Sequence, residues 1–139
     1  MNIYFACSIT GGRAYQAVYE AIVNALLADG HEIPTAHLAQ AGVVDEEKII
    51  DPREVYERDV AWIRGAQILI AEVSAPSHGV GYEVAFALGL GKPVFCLYDE
   101  GRSVSKMITG NPDLLLKVAS YRGQEEAVNL AREFVRGAS

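Results

Sequence analysis

One carboxylate in this chain stands where its neighbours give it no evident partner. Glu83 follows Ser74-Ala75-Pro76-Ser77-His78-Gly79-Val80-Gly81-Tyr82, a stretch of hydroxyls and glycines, and precedes Val84-Ala85-Phe86-Ala87-Leu88-Gly89-Leu90, which reads as a helix buried nearly all round. Burying an acid is costly unless it is paired or hydrogen-bonded. Glu83 is therefore a cap for free helix N–H groups, half of a buried ion pair, or a functional acid. A second acid, Asp59, sits in Glu54-Val55-Tyr56-Glu57-Arg58-Asp59-Val60-Ala61-Trp62-Ile63. Taken alone it reads as a solvated helix aspartate beside Arg58. Together, two carboxylates flanking a sugar would suit glycosidic-bond chemistry, one attacking the anomeric carbon and the other managing the leaving group's proton.

Three further features could support such chemistry. The turn Ser8-Ile9-Thr10-Gly11-Gly12-Arg13 joins a strand to a helix N-terminus, where backbone N–H groups and the helix dipole favour an anion; it is neither a Walker loop nor a dinucleotide fingerprint, and glycines occur in such turns for steric reasons alone. Tyr4 lies in the preceding strand and could aim its hydroxyl at the same turn, or simply pack. His37 could touch a base edge or cap a turn, and no cysteine or carboxylate cluster accompanies it to suggest a metal. His31 and His78 carry less signal still.

These residues need a scaffold, and the pattern supplies one. Short β-type runs alternate with helical patterns from end to end, the order of βαβ units around a parallel sheet. The expected first strand is Asn2 to Cys7. A helix with Val18, Ala21, Ile22, Ala25 and Leu26 at helical spacing follows and stops at Gly30. His31 to Ala36 reads as a brief second strand. The next helix opens on Asp51-Pro52-Arg53-Glu54, with a capping residue, an N1 proline and a capping-box glutamate. Gln67 to Val73 is a nearly continuous apolar run, as in a central parallel strand. A helix over about Gly79 to Gly91, a fourth strand at Pro93 to Tyr98, a loop with one helical turn over Asp99 to Asp113, a fifth strand within Leu114 to Tyr121 and a closing amphipathic helix over Gln124 to Val135 complete the pattern. The expectation is one α/β domain over residues 1–139: a doubly wound, five-stranded, flavodoxin- or Rossmann-like sheet of order 2-1-3-4-5. Its ligand would sit at the carboxyl ends of the first and third strands.

Bulk properties narrow the partners. A chain of 139 residues, 50% hydrophobic, can bury one sizeable core. A formal net charge of −6 gives no general attraction for nucleic acid or an anionic membrane, although a small anion could still find a local site. Cys7 and Cys96 lie inside apolar runs and read as buried thiols rather than a disulfide or metal pair. No run is long enough to span a membrane and no basic leader precedes the first strand, so a cytoplasmic protein without cofactor or metal is expected.

The motifs Tyr4-Phe5-Ala6-Cys7-Ser8-Ile9-Thr10-Gly11-Gly12-Arg13, Asp59-Val60-Ala61-Trp62, Ala71-Glu72-Val73-Ser74-Ala75-Pro76-Ser77-His78-Gly79-Val80-Gly81-Tyr82-Glu83 and Gly91-Lys92-Pro93-Val94, in that order, resemble the 2′-deoxynucleoside 5′-phosphate N-hydrolases of the nucleoside 2-deoxyribosyltransferase superfamily. The resemblance runs from Tyr4 to about Gly110, and Ser-x-Gly-Val-Gly-Tyr-Glu is its most specific part. It implies that Glu83 is a nucleophile forming a covalent sugar-phosphate intermediate that water resolves, that Asp59 assists proton transfer at the base, and that Tyr4 orients Glu83. It also implies a phosphate site from Ser8 through Ile9, Thr10, Gly11, Gly12 and Arg13, with Ser77, Gly79 and Ser105 beside Met107, and a base contact from His37. Ser105 would come from a neighbouring subunit, which implies a homodimer with shared sites. Glu83 near a helix N-terminus is expected to stay ionised at neutral pH.

Two positions depart from that pattern: Thr10 stands where the animal enzymes carry arginine, and Cys7 where they carry glycine, both beside the expected phosphate and sugar. The nearest alternative is a nucleoside 2-deoxyribosyltransferase, which uses the same glutamate but passes the sugar to a second base. Ser77 and Ser105 favour the hydrolase, because transferases act on unphosphorylated nucleosides. A nucleotide-binding module without turnover is the third reading, against which stand Tyr4, Asp59 and Glu83 together. Cleavage of ribonucleotides such as CMP is a further variant.

Overall fold

The structure is a computed structural model that describes residues 1–9, 14–40 and 47–139. Thr10 to Arg13, assigned above to a phosphate turn, lie outside the described residues.

A parallel sheet forms the centre. Its strands are β1 (Ile3–Ala6), β2 (Ile68–Glu72), β3 (Val94–Asp99) and β4 (Leu116–Tyr121), in the order β1-β2-β3-β4. Ile3 pairs with Ile68, Leu69 with Val94 and Val94 with Leu116, so the register runs level across the sheet. Between strands lie α1 (Gln16–Ala28), a 3-10 turn (Ala36–Ala39), α2 (Pro52–Gly65), α3 (His78–Gly89) and the short α4 (Lys106–Thr109); α5 (Gly123–Ala138) follows β4.

Alternation along the buried strands divides the core in two. Ile3, Phe5, Ile68, Ile70, Phe95 and Leu97 face α1 and α5. Tyr4, Ala6, Leu69, Ala71, Val94 and Cys96 face α2 and α3. This two-sided burial explains why β2 is apolar in consecutive residues rather than alternately. Arg132 of α5 ties the two helices of the first face by a paired contact to Asp29 at the end of α1, Nε to Oδ2 at 2.8 Å and Nη2 to Oδ1 at 3.1 Å. Gly30 follows with φ +92°, a left-handed conformation that lets the chain leave the helix at once.

The expected five-stranded order 2-1-3-4-5 is corrected to four strands among the described residues. The run His31 to Ala36 does lie beside β1, but only Asn2 and Glu32 form a bridge there, with Ile3 N–H donating to the Glu32 carbonyl at 2.8 Å and Glu32 N–H to that of Met1 at 3.0 Å. Proline explains the break. The next rung of a parallel ladder would need an N–H from Pro34, which has none. The buried Thr35 hydroxyl instead accepts from Phe5 N–H at 3.0 Å.

Helix starts were better marked. Asp51 caps α2 by accepting from Arg53 N–H at 2.8 Å, with Pro52 in the first position. No helix among the described residues is long and apolar enough to cross a membrane.

Candidate active site

The carboxyl ends of β1 and β2 open on a cavity of about 350 Å³ whose lining includes Cys7, Ile9, Asp59, Ser77, Gly79 and Glu83. Three elements converge here. Tyr4 points from β1 onto the α2/α3 face because its neighbours Ile3 and Phe5 are committed to the other side. Its hydroxyl, on a ring 1% exposed, donates to Glu83 Oε2.

Glu83 lies in the second turn of α3, whose cap is Ser77; the Ser77 hydroxyl accepts from Val80 N–H at 3.3 Å. Helical side chains lean toward the N-terminus, so the carboxyl is carried back over the first turn. Gly79 leaves it room. A Cβ at that position would stand 4.0 Å from Glu83 Oε1 and 3.9 Å from Ser77 Oγ. Burial pushes the Glu83 carboxyl up to about 8, with no charged side chain pairing with it among the described residues. That direction runs against the expected carboxylate ionised at neutral pH. Loss of water raises the Glu83 pKa even though its carboxyl lies back over the first turn, where the helix field favours the charged form.

Asp59 projects from α2 into the same cavity. Its Oδ1 accepts from Arg58 Nε at 2.8 Å, and Arg58 Nη1 reaches Glu47 Oε1 at 3.0 Å. Burial raises the Asp59 pKa, opposed by the adjoining guanidinium. Arg58 also lies over the Trp62 ring, 5.0 Å from its centroid. Tyr56 and Tyr82, edge to face at 6.3 Å, form the outer wall of the cavity.

The other expected contacts are divided. Ser8 is buried directly after β1, and Ile9 reaches the cavity. His37 lies in the 3-10 turn, edge-on to Trp62 at 5.9 Å and with Nε2 4.0 Å from Glu47 Oε1, and is not in the cavity wall. Ser105 caps α4 by accepting from Met107 N–H at 3.2 Å; both residues border an adjacent cavity of about 550 Å³ that shares Ser77, Val80 and Tyr82 with the first. Within one chain, then, Ser105 and Met107 line a neighbouring hollow rather than the one holding Glu83. Met107 is 84% exposed. Among the described residues no group of three or more His, Cys, Asp or Glu side chains could hold a metal ion.

Sequence reasoning gave no role to a buried acid, Glu72, at the end of β2. It is fully inaccessible. Its Oε1 accepts from Ser74 N–H at 2.7 Å, and its Oε2 from the Ser74 hydroxyl at 2.8 Å and from the Tyr121 hydroxyl. The signal was present in the sequence as one acid closing an otherwise apolar strand.

Comparison with known proteins places this geometry in context. A family model described as nucleoside 2-deoxyribosyltransferase matches residues 3–130. The chain is 41% identical over 138 residues to the 5-hydroxymethyl-dUMP N-hydrolase of Mus musculus, covering 96% of this chain and 79% of that protein. It is 38% identical over 135 residues to a Methanosarcina mazei protein named as a candidate 2′-deoxynucleoside 5′-phosphate N-hydrolase, covering 97% and 84%. The fold is shared with the CMP N-glycosidase of Clostridium botulinum, with a TM-score of 0.74 at 18% identity over 95% of this chain and 98% of that one.

Proposed function

We propose, from the premise that this chain belongs to the nucleoside 2-deoxyribosyltransferase family, that it hydrolyses the N-glycosidic bond of nucleoside 5′-monophosphates, releasing free base and (deoxy)ribose 5-phosphate. The observation that carries the reading is the Tyr4 hydroxyl on Glu83, with Asp59 lining the same cavity.

In this mechanism ionised Glu83 attacks C1′ while the C1′–N bond breaks and its electron pair leaves with the base. Asp59 supplies the proton that the departing base takes up. Water then adds to C1′, the Glu83–sugar ester opens, and the proton lost by water returns to Asp59. Tyr4 donates to Glu83 and so favours its charged form, against the cost of burial. The outer tyrosines Tyr56 and Tyr82 offer a base an aromatic wall.

The phosphate would be held by Ser8 and the turn that follows, by Ser77 at the head of α3, and by Ser105 of a second copy in a homodimer. Hydroxyls and backbone N–H groups serve an anion without a lysine cluster, which suits a chain of net charge −6. The exposed position of Ser105 and Met107 beside the larger hollow favours a contribution to a partner's site.

The test is a substrate panel. Each deoxynucleoside and ribonucleoside monophosphate, and each parent nucleoside, is incubated with the protein, with and without an added acceptor base. Free base released from monophosphates, and lost in Glu83→Ala, is the expected result. Sugar transfer from unphosphorylated nucleosides, with no release from monophosphates, would identify a transferase instead.

A further inference from the structure

On the α1/α5 face of the sheet, behind the cavity, one hydrogen-bonded chain joins parts that are remote in sequence. It starts at Tyr121, the last residue of β4, whose hydroxyl donates to Glu72 at the end of β2. Glu72 accepts from both the N–H and the hydroxyl of Ser74. The Ser74 oxygen in turn accepts from Asp99 N–H at 2.8 Å, at the end of β3. Asp99 Oδ2 accepts from the Tyr15 hydroxyl at 3.0 Å, at the head of α1.

Two inner members of this chain, Ser74 and Asp99, are the roots of segments to which the proposed function assigns phosphate contacts. Ser74 begins the loop that ends in Ser77, and Asp99 begins the loop that ends in Ser105. We infer that Glu72 is a positioning residue for the 5′-phosphate: its carboxylate holds Ser74 directly and Asp99 through Ser74, and so fixes the roots of the Ser77 and Ser105 loops and the hydroxyls they carry. The inference rests on the proposed function for the identity of the ligand.

Alternative uses of Glu72 fit the geometry less well. It does not line either cavity described above, so it touches no substrate. A purely stabilising acid is also a poor account. An apolar residue at that point would continue the core, whereas a buried carboxylate is retained at a cost, which burial's upward push on its pKa expresses. The acid's particular ability is to accept three bonds at once, two of them from the residue that starts the Ser77 loop. Such a clamp acts on binding of the phosphate and leaves the Tyr4–Glu83 pair, on the opposite face, in place. Its loss should therefore weaken ground state and transition state alike.

The experiment compares Ser74→Ala, Glu72→Ala and Glu72→Gln with the unaltered protein. Affinity for 2-deoxyribose 5-phosphate is measured by calorimetry, and KM and kcat are measured on a deoxynucleoside monophosphate that the unaltered protein cleaves. Ser74→Ala and Glu72→Ala should raise both Kd and KM about tenfold or more, with kcat held within about threefold. Glu72→Gln should restore Kd to within about threefold, because the amide can accept from Ser74 N–H and donate to the Ser74 and Tyr121 oxygens. A Kd unmoved in folded Ser74→Ala, whatever its melting temperature, overturns the inference. So does an equal loss of kcat with KM unchanged. Should Glu72→Ala fail to fold, Ser74→Ala and Glu72→Gln decide the matter alone. Absence of base release by the unaltered protein defeats the proposed function, while the Kd series still reads the clamp.

Discussion

Glu72 and Glu83 are acids withdrawn from solvent at the carboxyl end of the same sheet, on opposite faces, Glu72 fully buried and Glu83 half-buried, and their surroundings differ. Glu72 has three donors and no solvent. Among the described residues Glu83 has one donor, Tyr4, and an open cavity before it. Donors stabilise a carboxylate but also occupy its lone pairs, so the well-served acid is unreactive and the poorly served one keeps an oxygen free for a ligand. The count of donors and the presence of a cavity separate them.

The largest expected effect follows from removing the free oxygen. Glu83→Gln should lower base release from monophosphates by about a thousandfold or more, since no other described acid shares the cavity except Asp59. The same substitution should stabilise the fold at alkaline pH. Glu83 is raised from 4.5 to about 8 in the folded protein, so folded molecules keep a proton that unfolded ones release across that window. Its contribution to stability is present below pH 4.5 and is lost progressively as pH rises to about 8. Urea titrations at pH 5 and pH 9 should show the variant gaining on the unaltered protein by a few kcal/mol at the higher pH. A gap that stays constant with pH would show that Glu83 does not carry the raised pKa.

Asp59→Asn should come next, with kcat falling by about a hundredfold, the usual contribution of a positioned acid or base. The loss should be smallest for substrates whose base leaves readily without a proton. If the loss is uniform across bases, Asp59 is serving only to anchor Arg58.

How much of this contrast could be read from the chain depends on distance along it. The Asp51 cap and the turn at Gly30 come from residues within a few positions of one another and match the expectation. The helix around Glu83, expected to be buried nearly all round, instead buries only Val80, Val84 and Ala87 and leaves Tyr82 exposed, because one of its faces looks onto the cavities rather than the sheet. Tyr4 and Glu83 are 79 residues apart, and their meeting was implied only by likeness to a family. The Glu72–Tyr121 and Tyr15–Asp99 contacts, 49 and 84 residues apart, carried no pattern that periodicity could register. The second strand failed for a local reason, Pro34, whose missing N–H weighed less in the reading than the β-type residues around it. Ser105, which only the family resemblance set beside Glu83, lines the neighbouring hollow within one chain.

Tyr4→Phe sharpens the comparison by making Glu83 still less served. With its donor gone, the charged form loses support and the Glu83 pKa should move further above 8. The free enzyme's kcat/KM should rise with pH through about 8 in the unaltered protein and through a higher value in the variant. At pH 7 this amounts to roughly a tenfold loss, partly recovered at pH 9. A variant whose activity is low at every pH, with the limb unmoved, would make Tyr4 a spacer rather than a donor.

The smallest effect tests the space that keeps Glu83 accessible. Gly79→Ala introduces a methyl at ordinary van der Waals distance from Ser77 Oγ and Glu83 Oε1, 3.9 and 4.0 Å, so the fold should accept it, with up to about 1 kcal/mol of added helix stability. The same methyl lies in the cavity where a sugar phosphate would bind. KM for monophosphates should therefore rise several-fold while the melting temperature holds or increases. An unchanged KM would move the substrate away from the Ser77–Glu83 interval, and with it the claim that the open side of Glu83 is the reactive one.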